Sequence, residues 1–222
     1  MKTTEANSFG AENTITEVLA NNKLLLDTQI EPSTIISLID LCLTQPKHER
    51  FLNLLSGICS CNGEAISANQ DNIVITIMDN PATKLAMLFP IVLYNEQLMV
   101  MVKDNLQEES VEAQEIFIKE FYSSSKERGD MRMYNYFLSL ISLCASICHQ
   151  RNYKGVKALE QIYPLNVVID CTLDSKLENK LRAQFTRLLI SLHMDKDPLE
   201  KLNIPVMTRV WDEVTAEIIQ LP

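Results

Sequence analysis

The sequence predicts a mainly α-helical chain, an armadillo-like solenoid of stacked helices with a small β-hairpin near residues 84–103. Three observations predict it. Only 5 Gly and 8 Pro occur in 222 residues, which leaves long stretches free of helix breakers. Apolar residues return at spacings of three and four along most of the chain, the period of one helix face. Prolines and polar breaks stand between these periodic segments, so short joints link successive helices, as in stacked helical repeats.

Taken in order, residues 1–12 are polar and expected to fray. Ile15, Val18 and Leu19 then share a helical face, and Asn21-Asn22 interrupts it before Leu24-Leu25-Leu26. Pro32 suits a first helical turn, ahead of a stripe of Ile35, Ile36, Ile39, Cys42 and Leu43. After Pro46, Phe51, Leu54, Leu55 and Ile58 form the next stripe, and Asn62-Gly63 follows as a helix C-terminal signal. This gives a first helical unit at 13–80. Residues 81–107 form a connector: "KLAMLFPIVL" and "EQLMVMVKD" are short and rich in Val, Leu and Met, which suggests two strands with Pro90 at an edge. The run "QEESVEAQEIFIKEF" is expected to open a helix, because Glu108, Glu109 and Glu112 suit the positive end of a helix dipole. A second helical unit then occupies 108–222. Its inner helix is "MRMYNYFLSLISLCASICHQ", followed by "YKGVKALEQIY", "LNVVIDCTL" after Pro164, and "KLENKLRAQFTRLLISLHMD" up to Pro198. The last segment, "VMTRVWDEVTAEIIQ", stops while still amphipathic, the ending expected of a truncated stack.

Composition limits the function. The formal net charge of −9 argues against nucleic acid as a partner, which needs a basic face for counterion release. The longest apolar-looking run, Tyr136 to Cys148, has three serines and falls well short of the ~20 residues that span a bilayer. No direct membrane insertion is expected of this segment. The N-terminus lacks a hydrophobic signal core, so a reducing cytosolic setting and free thiols are expected for the six cysteines.

Cys59-x-Cys61 is a candidate soft-metal hook, but structural zinc needs four ligands. The other candidates, Cys144, Cys148 and His149, lie on a helix where two of them share an apolar face. Core packing is the expectation. Asp195, Asp197 and Glu200 are weak calcium candidates, without the spacing or central Gly of an EF-hand; a solvated acidic loop is the plainer reading. No GxSxG elbow, phosphate loop or GxGxxG is present, and His48, His149 and His193 have no sequence-visible nucleophile. No catalytic activity and no cofactor are expected.

The stretch "FLNLLSGICSCNGEAISANQDNI" resembles a motif of the inositol trisphosphate receptor and ryanodine receptor family, matching at Leu54, Leu55, Cys59, Cys61, Asn62, Gly63, Ala65, Asn69, Gln70 and Asp71. The Cys-Asn-Gly form is the ryanodine receptor version. Downstream, "ICHQRNYKGVKAL" with Cys148, Arg151 and Tyr153 resembles the inositol trisphosphate receptors. "LRAQFTRLLISLHMDKDPLE" does so more closely, through Leu181, Arg182, Ala183, Phe185, Arg187, Leu188, Leu192, His193, Asp195, Asp197, Pro198 and Glu200. The matches keep their order over residues 15–215.

This resemblance implies a cytosolic helical segment of a calcium-release channel on the endoplasmic or sarcoplasmic reticulum, lying just after the ligand-binding core. It would relay conformational change toward a C-terminal tetrameric pore, with neighbouring domains of the channel as partners and regulatory proteins as further ones. Neither the phosphate-binding residues nor the pore falls within the matched stretch. The residues singled out are structural ones. Gly63 would make a left-handed turn after the third helix, Arg182 and Arg187 would pair with acids on an adjoining helix, and Asp195, Asp197 and Pro198 would shape a joint. The alternative is a free-standing helical-repeat scaffold, derived from such a channel, that binds another protein along its groove.

Overall fold

The structure, a computed structural model, describes residues 22–103 and 114–196. It is mainly α-helical with two small antiparallel sheets. Short helices open the chain: α1 (Lys23–Thr28), α2 (Pro32–Thr44) and α3 (Glu49–Gly57). Asn22 caps α1 by accepting from Leu25 N–H, and Pro32 starts α2 where its missing N–H costs no helical bond. Of the predicted stripes, Ile35, Ile39 and Cys42 of α2, Phe51, Leu54 and Leu55 of α3 and its C-cap Ile58 are buried, Leu43 is half-buried and Ile36 is exposed; Leu52, outside the predicted stripe, is buried too.

A two-residue hairpin follows, β1 (Ser60–Cys61) and β2 (Glu64–Ala65). Helices α4 (Ser67–Met78) and α5 (Pro81–Met87) come next. The Asn-Gly pair expected to end the third helix instead forms this hairpin's turn. Helix α3 closes at Ile58, while Asn62 (φ 51°) and Gly63 (φ 82°) both adopt left-handed backbone. Positive φ at both central residues is the requirement of the tight turn that matches strand twist, which is why Asn-Gly is favoured there.

The second sheet has the order β3-β4-β5, with β3 (Ile91–Tyr94), β4 (Gln97–Val102) and β5 (Gln114–Phe117). The hairpin expected at 84–103 is therefore shorter, since Lys84–Met87 belong to α5, and Asn95-Glu96 make its turn with φ of 47° and 63°. Pro90 stands just ahead of the edge strand β3, as expected of a residue with no ladder donor. The acidic run expected to open a helix is corrected at 114–117. Val100 pairs with Ile116 and Met99 with Phe117, and these β-favouring side chains complete the sheet before α6 (Ile118–Glu127) begins. Glu108, Glu109 and Glu112 lie outside the described residues.

Helix α7 (Arg132–Cys148) is the inner helix, with twelve buried positions. It packs against α3 on one side and against α10 (Asn179–Leu188) on the other. Phe137 is its aromatic centre, with ring centroids 5.7 Å from Phe121, 6.2 Å from Phe185 and 6.4 Å from Phe89. Removing a ring so enclosed costs about 3–5 kcal/mol. Helices α8 (Tyr153–Leu159) and α9 (Leu165–Leu173) connect α7 to α10. Gly155 lets α8 approach the end of α7, because a Cβ there would sit 2.7 Å from Ile147 Cγ2 and 3.0 Å from its carbonyl oxygen.

The stretch "KLENKLRAQFTRLLISLHMD", expected as one helix, is α10 continued by a π-helical segment, Leu189–Met194. Asp195 N–H donates to Ile190 O at 2.8 Å, the wider i to i+5 bond of that geometry. Among the described residues no helix is long and apolar enough to cross a membrane.

Candidate functional site

The matched motifs meet at one joint. The hairpin β1–β2 projects from α3, and the polar residues just after α7 grip its tip. Gly63 O accepts from His149 Nε2 at 3.0 Å and from Gln150 Nε2 at 3.1 Å, while Ala65 N–H donates to Gln150 Oε1 at 2.9 Å. A carbonyl only accepts, so the His149 proton in this bond is on Nε2. Gln150 thus spans the hairpin as a two-point clamp. Its own φ of 54° and that of Arg151, 64°, turn the chain sharply away from α7 toward α8.

Beneath this clamp is a buried amide network. Asn69 Nδ2 donates to Leu26 O and to Ile58 O, both at 3.0 Å, tying α1 to the end of α3. Gln70 Nε2 donates to Ser146 O at 2.8 Å and His149 O at 3.1 Å, two carbonyls at the C-terminal end of α7, where Ser146 O also accepts the weaker His149 N–H at 3.3 Å. Gln70 Oε1 accepts from Asn152 Nδ2 at 3.3 Å. That same amide donates to Asp71 Oδ1 at 2.9 Å, and Asn152 Oδ1 caps α8 by accepting from Gly155 N–H at 2.8 Å. Asn69, Gln70 and Asn152 are all buried. Buried amides that satisfy several partners fix geometry more than they add net stability, because any displacement leaves polar groups stranded.

The π-helical segment closes the joint from the other side. His193 Nε2 donates to Tyr163 O at 2.9 Å. Burial holds its imidazole below the usual histidine range, assisted by the Lys196 charge and opposed by the carbonyl bond and Glu160. Asp195 is paired with Arg151 Nε at 2.9 Å and Lys196 with Glu160 at 3.0 Å. Asp197, Pro198 and Glu200 lie outside the described residues. The arginines find partners other than the acids expected on an adjoining helix. Arg182 Nε donates to Thr172 O at 3.2 Å, and Arg187 Nη1 reaches Ser142 Oγ at 3.4 Å and Gln184 Oε1 at 3.3 Å. Phe185 is wholly buried against Phe137.

The cysteines are core residues. All six are buried and free; Cys59 Sγ donates to Leu55 O at 3.3 Å. Desolvation pushes the Cys144, Cys42 and Cys171 thiols up to about 12, and raises those of Cys59 and Cys148 as well. Neutral thiols with such values are poor nucleophiles and poor metal ligands. Among the described residues no three His, Cys, Asp or Glu side chains gather as a metal site would require. The joint holds the hairpin, α4 and the start of α8 against the end of α7.

Sequence reasoning located Cys59, Cys61, Asn62, Gly63, Asn69 and Gln70 but missed Ser146, Gln150 and Asn152. One signal was present. The run His149-Gln-Arg-Asn152 follows directly on an apolar helix, and such a polar run at a helix end is where caps and clamps are found.

The RIH domain family model, whose label RYDR_ITPR joins the two receptor classes, matches residues 2–86, a stretch that includes the clamped hairpin and the Asn69-Gln70 pair. The inositol 1,4,5-trisphosphate receptor itr-1 of Caenorhabditis elegans is 24% identical over 192 residues, covering 83% of this chain and 6% of the receptor. Over most of its length the chain is similar to an inositol trisphosphate receptor, and over residues 2–86 to the RIH domain. The inositol 1,4,5-trisphosphate receptor-like protein A of Dictyostelium discoideum is likewise 24% identical, over 221 residues that cover 96% of this chain and 6% of that protein. The chain thus spans about one-sixteenth of the length of the receptors it matches. Within the family match, the Asn-Gln pair and the Asn-Gly turn have physical reasons. The pair satisfies helix-end carbonyls, and the turn requires left-handed backbone.

Proposed function

We propose that this chain is a regulatory coupling segment of an intracellular calcium-release channel of the inositol trisphosphate receptor kind. It stands on the cytosolic face of the reticulum membrane, as part of a homotetramer, and relays small rigid-body shifts from a ligand-binding region toward a pore. The observation that carries this reading is the joint itself. Asn69, Gln70 and the clamp at Gly63 tie α1, α3 and α4 to the end of α7 and the start of α8, across separations of up to 87 residues. A discrete, fully satisfied polar joint between packed helices moves as a unit or rearranges as a unit.

The test is functional. The full protein is captured from membranes with an antibody against this chain and reconstituted into calcium-loaded vesicles, to which inositol trisphosphate is added. The proposal expects ligand-evoked calcium efflux from a particle of tetrameric mass. A protein recovered wholly from the soluble fraction, with no evoked efflux, would leave the scaffold reading instead.

A further inference from the structure

The sheet edge at β3 offers an interaction surface unrelated to the joint. In the order β3-β4-β5 one side of β3 pairs with β4 and the other has no strand among the described residues. Met101 N–H donates to Pro90 O at 3.0 Å, which extends the ladder by one step and sets its parity. Residues 90, 92 and 94 turn their backbone groups toward β4, so Ile91 and Leu93 turn theirs outward. Natural edges of this kind are usually blunted by charged side chains. Here Val92, Leu93 and Tyr94 are 42%, 62% and 57% exposed, and none carries a charge.

Beside the edge is a cleft of about 340 Å³ where Leu93 and Leu98 face Leu173, which is 71% exposed. Its rim is acidic: Glu96, Asp170 and Asp174 against Lys119, the one cation among its described lining residues, whose Nζ is 3.1 Å from Asp174. From the open backbone edge, the exposed apolar side chains and this net negative rim, we infer that β3 accepts an extended segment of another protein that carries apolar and basic side chains on one face, at every second position. Its backbone would add as a strand beside Ile91 and Leu93. Its apolar side chains would fill the Leu93–Leu173 cleft, and a lysine or arginine would meet Glu96 and Asp170.

The probe is a short synthetic peptide with valine and lysine at successive same-face positions and threonine between them, titrated against the full protein and followed by hydrogen exchange and by anisotropy of a label on the peptide. The expected result is saturable binding with slowed exchange across 91–94, abolished when alternate peptide amides are N-methylated and weakened about threefold by Asp170→Asn. Equal binding by the N-methylated peptide, or by one with glutamate in place of lysine, would overturn the inference, as would no binding at all. Slowed exchange across 91–94 that rises with protein concentration in the absence of peptide would also overturn it, assigning the edge to a second copy of this chain.

Discussion

Gln70 donates its side-chain amide to the main-chain carbonyl of Ser146 at 2.8 Å, across 76 residues of sequence. The bond joins the first turn of α4 to the last turn of α7, and with its partner bond to His149 O it satisfies helix-end acceptors that burial denies to water. Replacing Gln70 with Leu keeps the volume, takes the side-chain donor from His149 O and leaves Ser146 O with only His149 N–H and the Asn152 amide with only Asp71. A loss of about 1–3 kcal/mol is expected, measured as a lower urea midpoint at unchanged slope. An unaltered midpoint would show that the network contributes nothing to stability.

Gly63 has a φ of 82° and open space where a Cβ would stand, so any penalty at this position is backbone strain alone. Gly63→Val is expected to cost about 1–2 kcal/mol, the left-handed penalty for an L-residue, and to lower the melting temperature. An unchanged melting temperature would contradict the turn geometry.

His193 supplies a pH dependence. Its folded pKa is depressed below the ordinary value of 6.5, chiefly by burial, so the unfolded chain binds the proton more readily. The sign follows: this contribution is fully present above about pH 6.5 and is lost as pH falls through the depressed folded value. His193→Gln removes the titration while leaving an amide donor for Tyr163 O. The acid-side fall in urea midpoint should therefore be shallower in that variant than in the parent, and parallel curves would exclude His193 as its source.

The buried cysteines should be unreactive. With all six enclosed, a disulfide-exchanging reagent added to the native protein is expected to label almost none of them, and all six once denaturant is present. Rapid native labelling of Cys59 or Cys61 would mean that the hairpin opens.

Much of the helical architecture was legible in the sequence because its stripes are strict. Ile35, Ile39 and Cys42, and later Phe137, Leu140, Ile141 and Cys144, fall on faces that the structure buries. What escaped has physical causes. The π-helical segment at Leu189–Met194 keeps apolar residues at helical spacings, so one wider turn leaves little trace in periodicity. Strand β5 was hidden behind the acidic run before it, and only its pairing with β4 reveals Gln114–Phe117 as extended. Asn62-Gly63 was correctly placed as a left-handed turn but assigned to a helix end, because both contexts favour the same residues. The joint was half legible. Asn69 and Gln70 came from resemblance, whereas Gln150 and Asn152 act through partners more than eighty residues away, which no local pattern encodes.

The central claim is that the joint carries a signal. The most direct test is Gln150→Leu in the full protein, since Gln150 is exposed and, among the described residues, its side chain bonds only to the hairpin backbone at Gly63 and Ala65. Inositol trisphosphate-evoked calcium efflux and inositol trisphosphate binding are measured on the same preparation. The expected result is a shift of about fivefold or more in the concentration for half-maximal efflux, on the scale of 1 kcal/mol of coupling, with the amount of inositol trisphosphate bound at saturation unchanged. Identical efflux curves for variant and parent would contradict it.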